Sequence, residues 1–268
     1  MNYEGAALLI GLLDSIDVFF VVFVRVMGFF LILPVMSGQN MPMMSRIALA
    51  LGVAFFCFMS GMIALPDYNF TIFGFGFLLL SEFLVGMIIS FVIMMLFSLF
   101  HFVGQMVDHQ MGFAMVSVLD PLGQQQAPVT GNLYFLIVSV FFVQTGALHH
   151  VIRILFESFG VIDIGSAFLL GNANIIAYVI EIIIVYFIFG VRFALPVVGT
   201  LIIVDIVLGI LVKAVPQMNV FVVGMPLKVL VGLFVVFVTL PSFAPIFGLV
   251  MNDVIGYILN ILRGMMPS

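Results

Sequence analysis

A chain of 268 residues with 65% apolar side chains, 7% charged ones and a mean hydropathy of +1.42 cannot clothe an ordinary soluble fold. Soluble domains are roughly a quarter charged, whereas seven basic and twelve acidic residues must serve this whole surface, so lipid or partner subunits must cover much of it. The thinly spread net charge of −5 argues against nucleic acid as a partner. The single cysteine, Cys57, rules out an intrachain disulfide framework or a cysteine-based metal site and reads as a small buried hydrophobe.

The apolar runs are long and continuous, as in IALALGVAFFCFMSGMIALP from Ile47 to Pro66, where a membrane β-barrel would alternate over about ten residues. The fold class is therefore all-α membrane protein. The first helix is expected over Ile16 to Leu33, with Arg25 near its middle, and Pro34 and SGQNMP end it. No basic leader precedes it, so it is expected to remain in the mature protein. The second runs from Ile47 to Leu65, and the third from Phe70 to Phe102, carrying Glu82. A fourth spans Leu133 to Ile152. Beyond the loop GSAFLLGNAN come segments at Ile175 to Val191 and Phe193 to Val212, then Val220 to Met251 with Pro226, Lys228, Pro241 and Pro245 inside it. Lys and Arg are too scattered for the positive-inside rule to fix orientation, although the acidic N-terminal tail favours an N-terminus outside the cytoplasm. No GxxxG occurs among the twenty-five glycines, so close helix packing must use other small-residue arrangements.

Arg25, Glu82, Glu181, Arg192, Asp205 and Lys228 interrupt or flank these apolar runs. A charge at a helix centre costs about 2.5–3.5 kcal/mol on insertion scales, so each must meet an internal partner, snorkel, or face water or another subunit. For the set, a polar path or an assembly interface is expected. Pro196, Pro216, Pro226, Pro241 and Pro245 lie in or beside the same runs and predict broken helices whose freed backbone groups neighbouring protein must satisfy.

The stretch from His101 to Asn132 has no Lys or Arg and contains three consecutive glutamines. If its start is helical, His101, Gln105, Asp108 and Gly112 share one face, which reads as lining something; Asp120-Pro121 stops any helix. Catalytic chemistry finds no footing. His149-His150 are adjacent and cannot chelate one ion together on a helix, His101 and His109 lack zinc-site spacing, and no phosphate loop or activated nucleophile is present. No enzyme activity, metal or cofactor is expected. A proton or ion relay through Glu82, Asp108 and Asp205 is the alternative that intramembrane charge allows. A secondary transporter would show matched repeats, and none is evident between the halves.

The run LGILVKAVPQMNVFVVGMPLKVLVGL from Leu208 to Leu233 resembles the FliR family of flagellar biosynthetic proteins. So do GQMVDHQMGF from Gly104 to Phe113, Asp120-Pro121, the early pattern of Arg25, Pro34, Pro42 and Arg46, and TGALHH from Thr145 to His150. The likeness covers nearly the whole chain and fits the flagellar branch better than the injectisome relatives. It implies a component of a type III secretion export gate in the bacterial inner membrane and flagellar basal body. There it joins FliP, FliQ and FlhB subunits, with an FlhA-type subunit nearby, in a helical assembly around a channel that unfolded flagellar subunits cross. It also implies a FliP-like part to about residue 170, followed by a FliQ-like helical hairpin. The Met- and Gln-rich segment from Gly104 to Gly123 matches the family's channel plug: Gly104, Gln105, Met106, Asp108, Gln110, Met111, Gly112, Phe113, Met115, Asp120 and Pro121. Flexible methionines suit a seal, and the glycines would let it move. Subunit contacts are expected at Arg25, Arg46 and Glu82, and around the hairpin at Arg192, Asp205, Lys213, Pro216, Gln217 and Lys228.

Overall fold

A computed structural model describes residues 3–37, 41–60, 72–113, 128–165, 173–217 and 219–265. Every regular element among them is helical. In chain order these are α1 (Tyr3–Ile32), α2 (Pro34–Ser37), α3 (Met43–Met59), α4 (Ile72–Met111), α5 (Val129–Gln144), α6 (Ala147–Val161), α7 (Ala173–Ala214) and α8 (Val220–Thr239). A 3₁₀ turn (Leu240–Ser242) and α9 (Phe243–Gly264) follow. Three stretches, Phe73–Met111, Ile176–Ala214 and Val222–Gly264, are long and apolar enough to cross a membrane; α5 and α6 add a fourth if taken as one broken span. The chain is an all-α membrane protein.

Several boundaries differ from expectation, each for a local reason. The apolar run expected as one span from Leu133 breaks at Thr145-Gly146, where Gly146 takes φ +73°, a conformation costly for side chains with a Cβ. The two segments expected on either side of Arg192 are one helix, α7, which carries Pro196 inside it. Pro226 likewise sits within α8. Proline removes one backbone bond and crowds the preceding turn, but long apolar helices outlast that loss here. Pro216 falls in the turn between α7 and α8, Pro241 in the 3₁₀ turn, and Pro245 in the first turn of α9, where no helical N–H partner is required of it.

The residues group into two compact units, between which the chain passes inside α4, α7 and α9 and at the Thr145-Gly146 break between α5 and α6. The first unit holds Met1–Met95, Gly146–Ile182 and Asp253–Ser268. In it α1 packs on α3, which turns Ala50, Ala54 and Cys57 inward at helical spacing and leaves Phe55, Phe56 and Met59 exposed. Helices α1 and α4 cross at two glycines. A Cβ on Gly86 would overlap the Arg25 carbonyl, and one on Gly28 would overlap that of Phe83, so the absence of GxxxG does not prevent backbone-to-backbone approach.

At this crossing lies the unit's most demanding feature. Arg25 and Glu82 are both 0% exposed, and the Arg25 guanidinium donates through Nε to the Glu82 carboxylate. Its remaining nitrogens donate to the Ser158 hydroxyl at 3.2 Å and the Ile162 carbonyl at 3.3 Å, and Phe159 stacks 4.3 Å from it. The other Glu82 oxygen accepts the Gly165 amide at 3.0 Å. Both charges are thus satisfied within the chain, through α1, α4, α6 and the turn after α6. Their expected place at a subunit boundary is not where the structure puts them: neither side chain reaches the surface.

The second unit, Leu96–Thr145 and Ile183–Asn252, has an aromatic core. Phe243 lies 4.6 Å from Phe193, 4.7 Å from Tyr134 and 5.6 Å from Phe100 between ring centroids, joining α4, α5, α7 and α9. Such pairs add about 0.5–1.5 kcal/mol each beyond the area they bury.

Removing one partner of the buried pair is expected to leave an uncompensated charge. Arg25→Leu lowers stability by about 3–5 kcal/mol, read as loss of resistance to thermal unfolding in detergent. Arg25→Met combined with Glu82→Leu recovers most of it. A single variant as stable as the parent would contradict the assignment.

Candidate functional site at the end of helix α4

Residues Gly104 to Phe113, expected to begin a mobile loop, are instead the last turns of α4 and its cap. Gly104 is buried inside the helix, where a Cβ would overlap the Gly131 backbone of α5; it is a crossing point and not a hinge. The helix ends at Gly112, with φ +88°. The Gly112 amide donates to the His109 carbonyl at 3.2 Å and the Phe113 amide to the Asp108 carbonyl at 3.1 Å, the paired bonds of a Schellman cap.

Asp108 closes a second helix with its side chain. Helix α5 begins after Pro128, which offers no side-chain cap, so its first amides need an acceptor from elsewhere. The Asp108 carboxylate accepts the Thr130 N–H at 3.0 Å to each oxygen and the Gly131 N–H at 3.3 Å. A carboxylate at a helix N-terminus also meets the positive end of the helix dipole. The face expected to line a path is therefore divided: Asp108 is buried in this cap, Gln105 is exposed and His101 is half-buried against Gly131.

The rest of the helix end is held by the hairpin of α7 and α8. Met111 is buried where Gly232 of α8 leaves room for it, and Gly112 lies against the Met225 methyl at 3.9 Å from a Cβ position. Gln110 donates to Asp205 at 3.0 Å, and Lys228 pairs with the same carboxylate at 2.7 Å. Asp205 and Lys228 stand about equally far from the turn at Pro216 and Gln217, so this bridge ties the two arms of the hairpin. Asp205 keeps 43% of its side chain exposed and Lys228 18%. These two residues, expected to pair across a subunit boundary, are paired inside the chain.

Met106 is half-buried, and Phe113 is half-buried just past the helix end. Arg46 is half-buried at the start of α3 and donates to the Met41 carbonyl at 3.4 Å. Arg192, Lys213, Pro216 and Gln217 are exposed. Met115, Asp120 and Pro121 lie outside the described residues. The expectations missed Ser158 and Gly165 around Arg25 and Glu82, and Thr130 and Gly131 around Asp108. No group of His, Cys, Asp and Glu suited to a metal ion occurs among the described residues.

The Asp108 cap has a direct test. Asp108→Ala costs about 0.5–2 kcal/mol, as loss of a helix cap does, and speeds hydrogen exchange at the Thr130 and Gly131 amides. Asp108→Asn keeps one acceptor and part of the protection. Unchanged exchange in the alanine variant would remove the cap from the account.

Residues 16–254 match the family model described as bacterial export proteins, family 1, a range that includes the α4 end, the hairpin and the buried ion pair. The chain is 31% identical over 227 residues to the flagellar biosynthetic protein FliR of Bacillus subtilis (strain 168), covering 82% of this chain and 85% of that one. It is 25% identical to the FliR of Escherichia coli (strain K12), over 87% of this chain and 88% of that one. The surface presentation of antigens protein SpaR of Shigella flexneri is 27% identical over 84% of this chain and 87% of its own. A match that runs through both compact units leaves one conclusion: the chain belongs to the bacterial export proteins, family 1.

Proposed function

We propose that this chain is a membrane subunit of the flagellar type III secretion export apparatus, seated in the bacterial inner membrane at the flagellar basal body. The observation that carries the reading is the family match from residue 16 to 254, with relatives named as flagellar biosynthetic proteins among the most similar. The physical character of the surface supports it. An apolar stretch of 18 residues within α7, and another within Val222–Gly264, is only 17% buried, against 56% for one within α4, so these stretches offer broad apolar faces to lipid and to other subunits.

In this reading the partners are FliP-, FliQ- and FlhB-type subunits, with an FlhA-type subunit nearby, and the cargo is unfolded flagellar protein. Residues to about 170 form a FliP-like part and the remainder a FliQ-like hairpin. The segment from Gly104 to Gly123 closes the channel at rest. Its described beginning is anchored by the Asp108 cap and the Gln110–Asp205 bond, which supports a closure whose root is fixed.

Two strains test this together. Loss of the whole chain stops secretion of flagellar subunits. Deletion of Gln110 to Val116 alone lets the apparatus assemble but raises ion leakage across the inner membrane. Continued secretion without the chain would overturn the function, and unchanged conductance would remove the plug from it.

A further inference from the structure

Two anchors of different kinds hold the end of α4. The Asp108 carboxylate, only 5% exposed, ties it to the first amides of α5. The other anchor belongs to the α7–α8 hairpin. Met225, Lys228 and Gly232 stand at i, i+3 and i+7 along α8 and so share one face. Gly232 is the seat of Met111: a Cβ there would come within 2.5–3.0 Å of Met111 Cγ, Sδ and Cε, so turning one methyl aside would not make room. Met225 meets Gly112. Lys228 acts through Asp205, donating to its two oxygens at 2.7 and 2.9 Å, and Gln110 donates to one of the same oxygens at 3.0 Å.

These anchors differ in how easily they part. A buried carboxylate pulled from its amides leaves donors and acceptor unsatisfied. Asp205 keeps 43% of its side chain exposed, so water can take the place of Gln110 at little cost. Met111 leaves its seat without breaking a polar bond, and its unbranched side chain adapts to new surroundings. The end of α4 therefore stays joined to α5 when it parts from the hairpin. Gly112 and Phe113, the cap from which the next segment departs, lie at that parting surface.

We propose that the α7–α8 hairpin is the release clasp of the segment after Phe113. Seated on α4 it holds that segment in place, and separation of the Met225–Gly232 face from the end of α4 sets it free. The inference rests on the reading of this segment as a channel closure, and it adds what lets the closure go. Asp205, Lys228 and Gly232 are its positioning residues, two through a shared bridge and one through the space it leaves.

The test puts one reporter, Phe113→Cys, into the intact membrane complex and measures its rate of modification by a membrane-impermeant maleimide in permeabilised cells. The chain without it, whose only cysteine, Cys57, is buried, sets the background. Rates are read on the assembled complex isolated after labelling. Asp205→Ala and Gly232→Val each raise the rate about tenfold or more, as a tenfold shift toward the open form does. Asp205→Ala leaves the Met111 seat intact, so it decides the matter should Gly232→Val not assemble. Exchanging the charges, Asp205→Lys with Lys228→Asp, returns the rate to near that of the reporter chain, because the Gln110 amide can donate or accept. An unchanged rate in Asp205→Ala, or no recovery in the exchanged pair, would overturn the clasp. Ion leakage is measured in parallel in intact cells: faster labelling without leakage would keep the clasp and remove the closure it is read as holding.

Discussion

The buried pair of Arg25 and Glu82 is the constraint on which the first unit's arrangement depends. Two charges with no exposure are tolerable only if nearly every polar atom finds a partner, because desolvation otherwise exceeds the Coulombic gain. That demand draws in Ser158, Ile162, Phe159 and Gly165, and it fixes the register of α6 against the α1–α4 crossing. Gly28 and Gly86 make the crossing close enough for the pair to form. Replacing the pair by apolar residues of similar volume need not cost stability, whereas removing one partner leaves a buried charge uncompensated.

The end of α4 follows the same logic at smaller scale. Asp108 terminates one helix with its carbonyl and starts another with its carboxylate, so α4 and α5 share a single residue as their joint. The Gln110–Asp205–Lys228 group then attaches that joint to the α7–α8 hairpin. Polar residues are few in this chain, and near the α4 end Asp108, Gln110, Asp205 and Lys228 hold helix ends and hairpin arms together.

Composition made the helical membrane class legible, because 7% charged residues leave no alternative surface. Segment positions were also legible, since long apolar runs are local signals. Continuity was not: Arg192 and Pro196 read as a break, yet α7 continues because helices this apolar retain their remaining backbone bonds. The break that does occur, at Gly146, lay inside a run that read as unbroken. Asp108 and Gln105 sit on one helical face in the sequence, but only the tertiary approach of Pro128 and Thr130 shows that one is buried and the other is not. Likewise Arg25, Glu82 and Asp205 were recognisable as charges that needed partners, whereas the partners lie 57, 57 and 23 residues away in the chain and carry no local pattern.

Once those charges are satisfied internally, what remains for other molecules is mostly apolar: the outward faces of α3, α7 and α8, with few groups such as Arg192 among them. A surface of this kind belongs to a subunit built to be surrounded by lipid and by other chains. The mass of the particle released by gentle detergent extraction tests that most directly. The expected particle is a heteromeric complex several times the 29.5 kDa of this chain, containing other membrane subunits; a monomer or a small homodimer would contradict that.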